Sequence, residues 1–261
     1  MSMLELLFRA MGIEFSKTMV YKANFIIKLI SLMTVDLIGP IVTTLIYTTT
    51  SGIPGWSFGQ FLLLQGIFVF VMGMVHFSQT AIAWRTVYEV REGNFDKFLT
   101  KPYKPLTYLT LTSWEPDGLG EVFVGIIIMA YSFSKLSIPI LSFNFLAFIA
   151  MLALAWLFTY SITVVIASLA FIAVKSFGLF NIFFSIMDIA RYPSTIYSYE
   201  MRFFISFLFP VAIASSFPAL ALIKGYALID MLWMALPVFG FLVFAWIMWK
   251  IAMTKYTSAG G

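Results

Sequence analysis

The sequence predicts an all-α polytopic membrane protein. The expected architecture is an N-terminal amphipathic interfacial helix over residues 1–23, then one transmembrane domain over residues 24–261. That domain is expected to hold six transmembrane helices, a short cytoplasmic helix after the second, and a re-entrant extracellular helical hairpin before the last. Three observations predict it. Of 261 residues, 61% are hydrophobic and 11% charged, at a mean hydropathy of +0.97, whereas a soluble domain carries about 25% charged residues. The charges cluster between long uncharged runs, residues 58–77, 136–174, 203–223 and 231–249. Each run meets or nearly meets the roughly 20 apolar residues needed to cross about 30 Å of hydrocarbon. With six crossings, finally, the basic residues fall mostly on one side.

Residues 1–23 come first. Leu4, Leu7, Phe8, Met11, Phe15 and Met19 recur at intervals of three or four and share one helical face, and Glu5 precedes Arg9 by four residues, the favourable order for a helix pair. The first span is read over residues 24–47, with Asp36 and Pro40 inside it. A charge-free turn over 48–57 leads to the second span, 58–80, and then to a stretch, 85–104, too charged for lipid. The third span is placed at 118–133, the fourth within 143–174, the fifth at 178–190 and the sixth at 231–249. Residues 203–223 are long enough to span, but Pro210 and Pro218 interrupt a helix there.

Charge decides how that segment counts. With six spans and cytoplasmic termini, Arg9, Lys17, Lys22, Lys28, Arg85, Arg91, Lys97, Lys101, Lys104, Lys175, Lys250 and Lys255 lie on the inner side or its boundary. Lys135, Arg191, Arg202 and Lys224 are left outside, twelve against four. Seven spans would move Lys250 and Lys255 to the wrong side. The segment, about residues 200–224, is therefore read as re-entrant.

The composition also excludes chemistry. Without cysteine there is no disulfide framework, thiolate metal site or cysteine nucleophile, and the lone histidine, His76, rules out a multi-histidine centre. No metal site and no catalytic residue are expected. The net charge of +4 is no sign of nucleic acid, because the basic residues flank membrane spans. No cleavable leader is apparent. A phosphate-cradling loop needs Gly-x-x-x-x-Gly-Lys-Ser/Thr; the pairs Lys17-Thr18 and Lys175-Ser176 lack those glycines. Any pumping work must be supplied by a partner.

The stretch from Arg85 to Lys104 is the most informative. Gly93 breaks the helix leaving the second span, Asn94 is placed to cap a new short one, and Pro102 stops it. Phe95, Phe98 and Leu99 share a face. This describes either a short helix with an aromatic knob that docks in a partner's groove or an ordinary loop.

The run Arg91-Glu92-Gly93-Asn94-Phe95-Asp96, followed by Leu99, Lys101-Pro102 and Pro105, resembles the hallmark loop of prokaryotic ABC type-2 exporter permeases. Two more stretches agree. One is Ala190-Arg191-Tyr192-Pro193 with Tyr197, Arg202, Phe207, Pro210 and Pro218-Ala219; the other is Trp249-Lys250 with Lys255-Tyr256-Thr257-Ser258-Ala259-Gly260. The nearest subgroup is the viologen-exporter-like one, often two different permeases served by one ATPase. The resemblance implies a multi-pass protein of the prokaryotic cytoplasmic membrane, paired with an identical or homologous second permease and two copies of an ATP-binding cassette subunit. It implies that ATP and Mg belong to that subunit and that this chain is no enzyme and binds no cofactor. The coupling helix carries over to about residues 91–101, with Arg91, Glu92, Asp96, Phe98 and Leu99 touching the ATPase. Glu115-Pro116-Asp117 and Glu121, at the start of the third span, depart from the family pattern.

Ionisable groups inside apolar runs remain. A charged carboxylate at the bilayer centre costs about 2.5–3.5 kcal/mol on insertion scales and normally faces a cavity, a partner or another polar group. Asp36 and Asp188 either line a path for a hydrophobic or amphiphilic, cationic substrate or fix helix packing. His76 is a proton relay or a packing donor. A proton- or ion-coupled secondary transporter built on these three residues is the competing reading, although no internal repeat supports it.

Overall fold

The structure is a computed structural model that describes residues 2–172 and 178–257. Lys175 and residues 258–260, which entered the charge and motif readings, lie outside the described residues. Among those described, all regular structure is helical. Helix α1 (Met3–Val20) is capped by the Ser2 hydroxyl and carries the Glu5–Arg9 ion pair at 2.8 Å. Its predicted apolar stripe faces outward, with Leu4 and Phe8 exposed, while Leu6 and Ala10 are buried.

Helices α2 (Lys22–Asp36) and α3 (Ile38–Thr49) form one long unit with a joint at Leu37. The joint lies one turn before Pro40, which has no N–H to return to the Asp36 carbonyl. Helix α4 (Phe58–Val75) starts at a reciprocal cap between Ser57 and Gln60 and runs through a π-helical turn (His76–Thr80) into α5 (Ala81–Arg91). The second long helix thus continues past residue 80, where the apolar span was read to end, up to the break expected at Gly93. One-turn α6 (Asp96–Leu99) and α7 (Pro105–Thr112) follow, and α1 packs on α7. A 3₁₀ turn (Pro116–Gly118) opens α8 (Leu119–Leu136). Helix α9 (Phe143–Leu169), capped by Ser142, packs along α13 (Leu228–Thr254).

Five helices among the described residues are long and apolar enough to cross a membrane: Lys22–Thr49, Phe58–Arg91, Pro116–Leu136, Phe143–Leu169 and Leu228–Thr254. The segment read as a fifth span is built differently. Helix α10 (Gly178–Met187) has 10 residues, about 15 Å of rise, and passes into a 3₁₀ turn (Asp188–Arg191). Its contacts nevertheless climb the whole second helix. Phe180 stacks on Trp84 at 4.0 Å, and Phe184 meets His76 at 5.4 Å. The Arg191 guanidinium stands 4.6 Å over the Phe68 ring, and Tyr192 stacks on Phe61 at 6.3 Å. At the far end Trp56 donates to the Thr195 hydroxyl at 2.9 Å.

The proline-bearing segment does not form one helix. It holds α11 (Tyr199–Phe203), a π turn (Phe204–Leu208), a 3₁₀ turn (Val211–Ala214) and α12 (Ser216–Ile223). At its turning point Phe209 sets its edge against Phe158 and Phe241, at 5.5 and 5.3 Å, halfway along α9 and α13. The chain then returns to Gly225, which abuts Asn144 at the start of α9.

Candidate functional site

Two places carry the sequence-predicted residues. The first is the loop after α5. Gly93, at φ +70°, ends that helix: its N–H donates to the Val90 carbonyl at 3.2 Å and that of Asn94 to the Glu89 carbonyl at 2.8 Å. This paired closure needs a left-handed residue, which glycine adopts without strain. The expected cap by Asn94 is corrected, since α6 begins after Phe95 with no side-chain cap.

The aromatic knob is corrected as well. Phe95 is 0% and Phe98 2% exposed. Phe95 packs against Phe171, Tyr256 and Trp249 at 4.8, 5.5 and 6.4 Å, and Phe98 against Tyr108 at 6.1 Å. Residues this apolar are withdrawn from water into the chain's own core, so Phe98 offers no surface to a partner. Arg91, Glu92 and Leu99 are exposed, and Asp96 is half-buried. Lys97 pairs with Glu89 and braces α6 against α5. The ring cluster ties this loop to the ends of α9 and α13.

The second place is a polar cluster inside the helices. His76 Nδ1 lies 2.6 Å from one Glu121 carboxylate oxygen and 2.7 Å from the other, and Glu121 is 2% exposed. The π turn that begins at His76 inserts an extra residue, a winding often found at functional positions. It also presents polar groups sideways. The Phe77 carbonyl accepts from the Glu115 N–H at 3.0 Å, Ser78 accepts from Trp156 Nε1 at 3.0 Å, and Gln79 donates to the Trp156 carbonyl at 3.0 Å. Asp117 pairs with Lys28 across to α2. Burial pushes the Glu115 carboxyl above its ordinary range, with Lys28 opposing the shift.

Asp36 is buried beside this group, within electrostatic reach of Glu121, His76 and Arg191. One of its carboxylate oxygens has no hydrogen-bond partner. Asp188 is half-exposed and accepts from Arg191 Nε at 2.7 Å. Arg191, read as an outer-loop cation, is drawn back among the helices: its carbonyl accepts from Gln65 Nε2 at 2.7 Å while its guanidinium covers Phe68. The structure thus brings Asp36 and His76 into one neighbourhood through Glu121, and reaches Asp188 through Arg191.

Gln65, Lys28 and the role of Glu121 escaped the sequence reading. The signal that marks the stripe is the spacing Asp36, Gly39, Thr43, a polar and small face at i, i+3 and i+7 of an otherwise apolar helix. Among the described residues no group of three or more His, Asp or Glu side chains is placed to hold a metal ion.

The family profile described as ABC-2 family transporter protein matches residues 30–260. No curated protein and no solved structure matches the chain. The family match covers most of the sequence, and the chain belongs to the ABC-2 transporter family.

Proposed function

We propose, on the premise of ABC-2 family membership, that this chain is the membrane-spanning permease subunit of an ATP-driven exporter. It works as half of a dimer with an identical or homologous permease. Two copies of an ATP-binding cassette subunit bind ATP and Mg and drive it. It moves a hydrophobic or amphiphilic substrate, an organic cation included, out of a prokaryotic cell by alternating access, in the manner of the viologen-exporter-like permeases.

The observation that carries the reading is the family match over residues 30–260, which contains the exposed one-turn helix at the end of the second long helix. Other features support the finer points. The contacts of residues 180–195 from Trp84 to Trp56 fit a broken fifth crossing, giving six in all. The dip of Phe209 to the midpoints of α9 and α13 fits a re-entrant hairpin. Closure of the ATPase pair pushes on about residues 91–101. Because Phe95 is wedged among Phe171, Trp249 and Tyr256, the push reaches α9 and α13 as well as α5. A partner shifts such an equilibrium only by binding its states unequally, so the exposed Arg91, Glu92 and Leu99 must meet the ATPase differently in each.

The test is the Glu92→Arg, Leu99→Asp double variant, purified with its ATPase. Both side chains are exposed, so the fold is spared, unlike with Phe98→Asp. Substrate-stimulated ATP hydrolysis is expected to fall about tenfold or more, a loss of ~1.4 kcal/mol or more of coupling, while basal hydrolysis by the ATPase persists. Undiminished stimulation refutes the assignment. The buried Asp36 and Glu121, with the partly buried His76, favour a second reading, an ion-coupled carrier. Gradient-driven transport by the chain alone in vesicles selects it.

A further inference from the structure

We infer that the outer surface of the α9–α13 seam, in the half that adjoins α7, binds one anionic phospholipid. An acyl chain fills a groove there, and the phosphate sits among lysines at its rim. The inference goes beyond the exporter reading and depends on neither an ATPase nor a transported substrate. The groove has a volume of about 430 Å³ and is bounded by Leu106 of α7, Tyr160 and Val164 of α9, and Leu242, Val243 and Trp246 of α13. Val243 and Trp246 are exposed, while Val164 is buried.

Depth and chemistry select hydrocarbon for the groove itself. Leu242 precedes Lys250 by about 12 Å of helix, close to the ~15 Å of hydrocarbon in one leaflet. The polar atoms on the walls are few. The Thr110 hydroxyl donates to the Leu106 carbonyl at 2.9 Å, so at 2.8 Å it accepts from the Tyr160 hydroxyl, which is thereby engaged. Among the six bounding side chains only the Trp246 indole N–H is left as a free donor. A polar solute finds almost nothing to bond here, and an acyl chain loses nothing by entering.

Charge selects the head group. Lys250 follows Trp246 by one turn and folds over it, its ammonium 3.4 Å from the centre of the indole ring. Lys104 immediately precedes α7, two residues before Leu106, and Lys101 Nζ stands 5.9 Å over the Tyr108 ring of the same helix. All three lysines are exposed. Among the described residues none of them forms an ion pair, whereas Lys17, Lys28 and Lys97 each meet a carboxylate of the chain. Unneutralised lysines beside an open apolar groove match an amphiphile that brings hydrocarbon and negative charge together. A zwitterionic lipid supplies the hydrocarbon without the net charge, and a free phosphate supplies charge without hydrocarbon. An anionic phospholipid supplies both, and each lysine held near the head groups favours it.

The experiment uses the full chain in a neutral detergent, without any ATPase. It follows thermal unfolding as phosphatidylglycerol, or phosphatidylcholine with the same acyl chains, is added. Phosphatidylglycerol is expected to raise the transition temperature in a saturable way, and phosphatidylcholine to bind about tenfold more weakly. The Lys104→Gln, Lys250→Gln double variant changes only exposed side chains and is expected to weaken phosphatidylglycerol binding about tenfold or more. Val243→Trp fills the groove from an exposed position, leaves the charge unchanged, and is expected to weaken binding in the same direction. Lys22→Gln, exposed at the start of α2 and off the groove walls, is expected to bind as the parent does. Equal stabilisation by the two lipids overturns the site, as does undiminished binding to the double lysine variant or to Val243→Trp. A matching loss in Lys22→Gln reduces the effect to diffuse surface charge and overturns it too. A dimer that Val243→Trp splits, with no response to phosphatidylglycerol, gives the groove to a second copy of the chain and ends the inference.

Discussion

Glu121 is nearly inaccessible, and its carboxylate meets an imidazole 45 residues away in sequence. A buried pair of this kind adds little net stability, but removing one partner leaves an uncompensated group inside and costs about 3–5 kcal/mol. His76→Leu is therefore expected to destabilise the chain by that order, and Glu121→Leu in the His76→Leu background to recover much of the loss. Transition temperatures of the two single variants and the double variant in detergent form the cycle, and strictly additive losses refute the pairing. Part of this was legible in sequence. Asp36 and His76 stand out as ionisable groups in apolar runs. The Glu121 partnership was not legible, because no local pattern says which turn of the third span faces which turn of the second. Phe98 shows the converse limit. Its face with Phe95 is correctly apolar, but an apolar face turned to a partner reads the same as one turned to the chain's own core.

At the scale of elements, helix lengths were the most readable feature and helix contacts the least. Hydropathy located five long helices to within a few residues at most ends; it closed the second apolar span near residue 80, where polar side chains accumulate, while Gly93 marked the end of the helix itself. Those side chains belong to the π turn, and they leave the helix sideways to α8, α9 and the 115–118 turn rather than ending it. The segments read as a fifth span and a re-entrant hairpin were less legible, because each is broken into short helical pieces that make ring contacts with other helices rather than carrying one continuous apolar period. Helices in lipid gain little from apolar burial against one another and associate by close packing of small residues. The seam between α4 and α8 follows that rule. A Cβ at position 73 would stand 2.5 Å from the Val122 amide nitrogen, and one at 125 the same distance from that of Phe70. Gly73→Val is thus expected to force the helices apart at a cost of about 1–3 kcal/mol or more, seen as loss of monodisperse protein in detergent. Gly12→Val, where nothing lies within 4 Å, serves as the matched control and is expected to keep its yield. Equal yields from the two variants contradict the seam.

For the whole molecule, the number of crossings fixes which faces share a compartment, and the distribution of lysine and arginine favours six. The chain contains no cysteine, so single cysteines can be introduced without a background to remove. Thr100, between α6 and α7, Leu141, between α8 and α9, Tyr199 in α11 and Thr254 at the end of α13 are all exposed. Six crossings with a re-entrant hairpin place Thr100 and Thr254 together inside, and Leu141 and Tyr199 together outside. A seventh crossing through residues 203–223 moves Thr254 outside while leaving the other three unchanged. Labelling of intact cells with a membrane-impermeant maleimide is expected to modify the Leu141→Cys and Tyr199→Cys variants and to spare Thr100→Cys and Thr254→Cys until the cells are lysed. Labelling of Thr254→Cys in intact cells, with Thr100→Cys protected, establishes seven. Labelling of Thr100→Cys from outside places the loop out of reach of any cytosolic ATPase, and with it removes the route by which work enters the permease.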